Sequence, residues 1–169
     1  MHPLVKLAKK AVETFVEHKE RLAVPEDIAD EFLRPSAVFI CIKKSAQLRG
    51  CIGTLTPKQP SMADEVIENA ISACSKDPRF PAVRPEELSE LSYTVDVLGP
   101  SEPVTGPEDL DPKRFGVIVT KGNARGLLLP DIEGVETALE QIDIAKRKAG
   151  IDPSDTNVEI QRFSVNRYK

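Results

Sequence analysis

The densest chemistry in this chain lies in Leu48-Arg49-Gly50-Cys51-Ile52-Gly53-Thr54, where a guanidinium and a thiol stand two residues apart among glycines. Glycine weakens a strand, so Gly50 and Gly53 mark a β-bulge or a place where something approaches the backbone closely. Period-two alternation puts Leu48, Gly50 and Ile52 on one face and Arg49, Cys51 and Gly53 on the other. Cys51 then reads in two ways. It is a thiolate, its pKa lowered by Arg49 and able to attack or to ligate, or it is a small polarizable residue where nothing larger fits. The activated thiol predicts that Cys51 alkylates faster than Cys41 or Cys74.

A cysteine nucleophile also needs a base, and no histidine motif accompanies this one. His2 and His18 both lie near the N-terminus, and His18 falls on the polar rim of a helix. Asp77 can serve as acid or orienter, or it can cap a helix or pair with Arg79. Cys41, Cys51 and Cys74 stand ten and 23 residues apart, which matches no common zinc spacing, and no cofactor is indicated. Arg49, Arg79 and Arg125 each lie beside a glycine or a proline turn. They can converge with glycine N–H groups on a carboxylate or phosphate, or each can pair with one of the 27 acidic residues. The first reading makes Arg49, Gly50, Cys51, Gly53, Asp77 and Arg79 the lining of a ligand site.

Composition limits what such a site can serve. At 169 residues, 40% hydrophobic and 30% charged, the chain fits one globular domain, or one with an added lobe. A chain of this size buries roughly 70% of its unfolded surface. A net charge of -4 gives no field that recruits nucleic acid or anionic lipid, and 5% aromatics without tryptophan give no base-stacking platform. An odd number of cysteines without a CxxC points to reduced thiols and a cytoplasmic setting. Met1 to Lys10 lack the apolar core of a signal peptide, and no apolar run reaches membrane-spanning length.

The elements that must position these residues follow from periodicity. Leu4, Leu7, Ala8, Ala11, Val12 and Phe15 predict an amphipathic helix from Pro3 to about Glu20. Pro25-Glu26-Asp27 opens a second, carrying Ile28, Phe32 and Leu33 as far as Pro35. Ala37 to Lys43 is apolar on both faces and reads as a central strand, with Cys41 in the core and the Cys51 strand returning antiparallel after a hairpin at Lys43–Ala46. Ser61 caps a helix whose stripe is Met62, Val66, Ala70 and Ala73/Cys74, ending before Pro78. Leu91, Tyr93, Val95 and Val97 alternate as a half-buried strand. Gly116–Val119 and Gly126–Leu129 flank a turn, Gly134 to about Lys148 is the third long helix, closed by Gly150, and Val158–Val165 is the last strand. Helices mixed with antiparallel hairpins give an α+β fold, with parts of 47–60 and 78–112 set off as a smaller lobe.

Leu48–Thr54 resembles the hallmark motif of the AMMECR domain family, and the likeness runs on in order along nearly the whole chain. It continues through Asp77-Pro78-Arg79-Phe80-Pro81, Glu87-Leu88, Tyr93–Leu98, Gly116–Val119, Arg125–Pro130 and Lys148-Ala149-Gly150. Two positions depart from the family pattern. Asp96 stands where members often carry a small hydroxyl residue, and the Gly134–Thr137 region lacks the usual tryptophan. The resemblance implies a mixed α/β fold of two unequal lobes with the heptapeptide lining the groove between them, and no settled reaction. Prokaryotic members carry the name AmmeMemoRadiSam system protein A, which implies Memo-type and radical-SAM proteins as partners in a modification pathway. The leading expectation is thus a binding or accessory module for a small anion or a partner-protein segment. An enzyme using Cys51 as nucleophile or group acceptor is the alternative, and a nucleic-acid adaptor the third, disfavoured by charge.

Overall fold

Helix starts in this chain are set by the residue just before them. Pro3 suits a first helical turn, because its fixed φ is helical and its missing N–H would have had no partner there. His2 supplies the cap, its Nδ1 accepting the Leu4 amide at 3.3 Å. Ser61 accepts the Asp64 amide at 3.0 Å and Thr137 accepts that of Glu140 at 3.2 Å, capping the other two helices in the same way. The computed structural model describes residues 1–169. In chain order the elements are α1 (Pro3–His18), β1 (Val38–Lys44), β2 (Gln47–Gly53), α2 (Met62–Ser75), β3 (Leu91–Leu98), β4 (Glu102–Pro103), β5 (Gly116–Lys121), β6 (Ala124–Leu128), α3 (Ala138–Ala149), β7 (Glu159–Phe163) and β8 (Val165–Tyr168). Short 3-10 turns occupy Asp30–Leu33, Pro85–Glu90 and Pro107–Asp109.

The chain divides into two compact units, Met1–Leu98 with Asn166–Lys169, and Gly99–Val165. In the first, the sheet order is β2-β1-β3-β8, and β1 pairs antiparallel with both β2 and β3. Val38, Ile40, Ile42, Tyr93 and Val95 point from that sheet into one core with the apolar stripes of α1 and α2. Phe39, Cys41 and Lys43 alternate with them and are partly or fully exposed. In the second unit the order is β4-β7-β5-β6, and α3 packs Ile142 and Ala145 against Val117, Val119 and Leu128. The architecture is α+β with antiparallel sheets, as the element order predicts.

Three expectations shift. The helix expected after Pro25 is only the Asp30–Leu33 turn, since Pro25 and Pro35 leave too little chain to offset helix nucleation and no side chain caps it. The third helix starts at Ala138, because Gly134 is left-handed at φ 85° and Thr137 holds the cap. The last predicted strand is broken at Ser164, so that β7 pairs with β5 while β8 joins the other sheet. Residues 47–60 and 78–98 stay with the first unit, and the second is Gly99–Val165. The prolines of 78–98 stiffen a segment that is bonded back onto β2.

Candidate functional site

β2 carries an irregularity at the residue the motif makes most conspicuous. Ile42 pairs with Gly50 and Lys43 with Leu48, so Arg49 is an extra residue with no partner on β1. This is the bulge that the glycines foretold, and it also reverses one facing assignment. Simple alternation put Leu48 with Gly50 and Ile52, whereas the bulge moves Leu48 to the face of Lys43 and leaves it 41% exposed.

Arg49 is fully engaged within the first unit. Its Nε and Nη2 donate to the two carboxylate oxygens of Glu87, each at 3.0 Å. Nη1 donates to the Pro81 carbonyl at 2.8 Å and Nη2 also to that of Ala82 at 3.3 Å. The bidentate guanidinium, together with the Arg84 amide, holds buried Glu87 at a pKa of about 2. Arg79 is paired as well: Nε and Nη2 donate to the two oxygens of Asp77 at 3.0 and 2.8 Å. Asp77 is 4% exposed, and these bonds with the Cys51 and Arg79 amides hold its carboxyl far below the usual range. Of the two alternatives for each arginine, both show the acid-paired one. Arg79 nonetheless leaves its side chain 55% exposed, with the guanidinium 5.4 Å from the Phe80 ring.

Two glycines of the motif are filled from inside the protein. A Cβ on Gly50 would overlap the Ala73 carbonyl oxygen of α2, and one on Gly53 would enter the Phe39 ring. The close approach predicted at this backbone is therefore made by the protein's own helix and aromatic ring.

The cysteines correct the expectation of three reduced thiols. Cys41 and Cys51 lie directly opposite in the β1–β2 register, with Cα atoms 4.1 Å apart, and are joined by a disulfide. Both are partly exposed, so Cys41 is not a core residue. The even/odd count misled because it cannot see register: ten residues of separation become one rung once the hairpin closes. In place of a thiolate paired with Arg49 stand a bonded sulfur and a guanidinium already neutralised by Glu87. Cys74 is the free thiol, buried on α2, donating to the Ile71 carbonyl at 3.2 Å, with burial pushing its pKa up to about 11.

The Cys51 backbone faces away from β1. Its amide donates to Asp77 Oδ2 at 2.9 Å and its carbonyl accepts from Arg79 Nη2 at 3.3 Å. The structure thus brings Arg49, Gly50, Cys51, Gly53, Asp77 and Arg79 together along one edge of one sheet. Neither histidine joins them. His2 caps α1 and stacks on Tyr168 of β8, the opposite edge of that sheet, about 14 Å away at ordinary strand spacing. His18 lies exposed at the end of α1, and Arg125 is an exposed residue of β6 in the second unit. No three His, Cys, Asp or Glu side chains gather as a metal ion would require.

Two acids that hold this region escaped the sequence reading. Glu87 accepts the Arg84 amide at 2.9 Å and so caps the Pro85–Glu90 turn, but nothing local marks it as the partner of Arg49. Glu65, 1% exposed, accepts from Thr54 Oγ1 at 2.6 Å and from the Lys58 and Gln59 amides at 2.9 and 2.8 Å, fastening the loop after β2. Its signal was an acid set inside the apolar stripe of α2. A further signal is the recurring Arg-Gly pair. Gly126 on β6 meets the Ala145 carbonyl of α3 just as Gly50 meets that of Ala73 on α2, so each unit docks a helix backbone on a strand glycine.

Comparison with known proteins now assigns the family. The AMMECR1 family profile matches residues 5–168. The chain belongs to the AMMECR1 family. A protein of Thermotoga maritima is 50% identical over 99% of this chain and 98% of its own length. A Clostridium acetobutylicum protein is 44% identical over 99% of this chain, which spans only 36% of that longer polypeptide. The crystal structure of an uncharacterized protein from Pyrococcus horikoshii superposes with a TM-score of 0.91 at 32% identity, covering 97% of this chain and 88% of that one. This AMMECR1 chain therefore shares its α+β fold with a solved protein, and no helix in it is long and apolar enough to cross a membrane.

Proposed function

We propose that this AMMECR1 chain is an accessory binding domain, and that the Arg79–Phe80 corner is where it takes the carboxylate or phosphate of a partner-protein segment or small anion. The observation that carries the reading is the state of Arg79. Asp77 and the Cys51 carbonyl fix one side of its guanidinium, yet more than half the side chain faces solvent beside an aromatic ring. An arginine held this way loses little rotamer entropy on binding, and its free N–H edge can meet an oxyanion in plane. Because Asp77 cancels its charge, selectivity rests on directed hydrogen bonds, in keeping with a net charge of -4. The longer Clostridium relative supports a domain that works beside other protein. Service alongside Memo-type and radical-SAM proteins is the pathway implied by the family resemblance.

The enzyme alternative needs a free Cys51 thiolate and a base, and here the sulfur is bonded to Cys41 while both histidines are placed elsewhere. Amide chemical-shift titration tests the binding reading with inorganic phosphate and an acetylated aspartyl peptide as probes. Saturable shifts at Cys51, Arg79 and Phe80, lost in Arg79→Gln and kept in Arg125→Gln, are expected. Shifts that survive Arg79→Gln would place the anion elsewhere.

A further inference from the structure

We propose that Cys41 and Cys51 form a thiol–disulfide exchange site, which takes a dithiol as reductant and a disulfide as oxidant. This goes beyond the binding reading and does not depend on it. Three observations carry it together. The two cysteines are opposed in register at a Cα separation of 4.1 Å, close enough for sulfur to meet sulfur without backbone movement. Both are partly exposed on the sheet face opposite the α1–α2 core, whereas Cys74 is 2% exposed inside that core. Finally, the pair is held whether or not the bond exists. β1 is fixed on its far side by β3 from Val38 to Lys44, and Cys51 by Asp77 and Arg79, while neighbouring Gly50 seats against α2. Opening the bond removes no rung of the sheet, so the same geometry stands ready to close it again.

A thiolate of the dithiol attacks Cys51 Sγ, on a strand whose outer edge is covered by the short Asp77–Arg79 turn and not by another strand. The Cys41–Cys51 bond breaks, and its electron pair leaves on Cys41 Sγ, which takes a proton. The second thiolate of the dithiol then attacks its own sulfur in the mixed disulfide and releases Cys51 Sγ, which is protonated in turn. Two electrons and two protons pass to the protein, and the dithiol leaves as a disulfide. An incoming disulfide runs the steps in reverse.

Thiol counting on the full chain tests this, with maleimide labelling and peptide mass mapping after equilibration in dithiothreitol or oxidised glutathione. Two thiols should open under native conditions and close again with oxidised glutathione, while far-UV circular dichroism stays the same and Cys74 labels only in denaturant. The variant Cys41→Ser should retain glutathione on Cys51 as a stable mixed disulfide, and Cys51→Ser should capture it more slowly. Replacing dithiothreitol with a Cys-x-x-Cys protein separates the sources: faster opening assigns a protein dithiol, equal opening a small one. Thiols that stay open in oxidised glutathione, a bond that opens only in denaturant, or loss of secondary structure on reduction would each overturn the assignment. The wild-type titration decides the matter even if a variant misfolds.

Discussion

Asp77 accepts the outward amide of Cys51 at 2.9 Å, so an aspartate side chain stands where the backbone of a fifth strand would pair with β2. Arg79 completes the imitation by donating to the Cys51 carbonyl. An unpaired strand edge is a template for association with other chains, and proteins cover it with charge or loops. Here the Asp77-Pro78-Arg79 turn does so, while Arg49 reaches back to the carbonyls of Pro81 and Ala82. The segments Leu48–Thr54 and Asp77–Pro81 are thus two halves of one edge closure.

Removing that closure should be costly. Asp77→Ala leaves the Cys51 amide without its acceptor and Arg79 without its counter-ion, and we expect a loss of about 2–4 kcal/mol in urea denaturation. Arg79→Ala should cost less, about 1 kcal/mol, because that side chain is more than half solvated. Equal losses in the two variants would show that the edge closure is not organised around the carboxylate.

Acid should weaken the same edge. Asp77 and Glu87 have folded pKa values below their ordinary 3.8 and 4.5, with Glu87 at about 2. A carboxyl depressed by folding binds fewer protons in the folded state, so its stabilisation is complete above its unfolded pKa and fades as pH falls through the folded one. The urea midpoint should hold from pH 7 to about 5, then drop between about pH 4.5 and 2, with Glu87 contributing on the order of 2–3 kcal/mol. Glu87→Gln should be less stable at neutral pH and show a shallower acid limb. An unchanged limb in that variant would contradict the pairing with Arg49.

Much of this was legible in the chain itself, and the exceptions have physical causes. The helix of Met62–Ser75 declared itself because capping residue and apolar stripe agree, and that of Pro3–His18 through its stripe. Gly50 announced a close approach, but local sequence cannot tell whether the approaching atom belongs to a ligand or, as here, to Ala73. Cys41 and Cys51 were misread because their pairing depends on strand register, which the bulge at Arg49 adjusts nearby. Likewise Arg49 and Glu87 are 38 residues apart, and only tertiary packing brings them together.

Gly50 gives a sharp test of whether the motif's bare backbone serves packing. The atom in its way is a helix carbonyl, which cannot rotate aside, so Gly50→Ala must push α2 from the sheet. A loss of about 2–3 kcal/mol is expected from thermal or urea unfolding. Gly53→Ala meets the Phe39 ring instead, a side chain that can move, and should cost less and be relieved by a second change, Phe39→Leu. A neutral Gly50→Ala would mean that the glycine is kept for something outside the fold.

The β1–β2 turn offers the opposite kind of change, one that should stabilise. Ser45 and Ala46 form a two-residue loop with φ of 49° and 65°, the left-handed conformation that side chains with a Cβ adopt at a cost. Two positive φ values are what the right-handed twist of a tight hairpin requires, and Asn-Gly satisfies them most readily. The cost for L-residues there is about 1–2 kcal/mol each, less for residues whose side chain bonds locally. Ser45→Asn with Ala46→Gly should therefore raise stability by about 1–2 kcal/mol, read as a higher urea midpoint with an unchanged slope. The β5–β6 turn supplies the control. There Gly122 already occupies φ 56° with open space around it, so Gly122→Ala should cost about 1 kcal/mol through backbone conformation alone. If the β1–β2 variant gains nothing while Gly122→Ala loses as expected, the Ser45–Ala46 loop is not left-handed in solution.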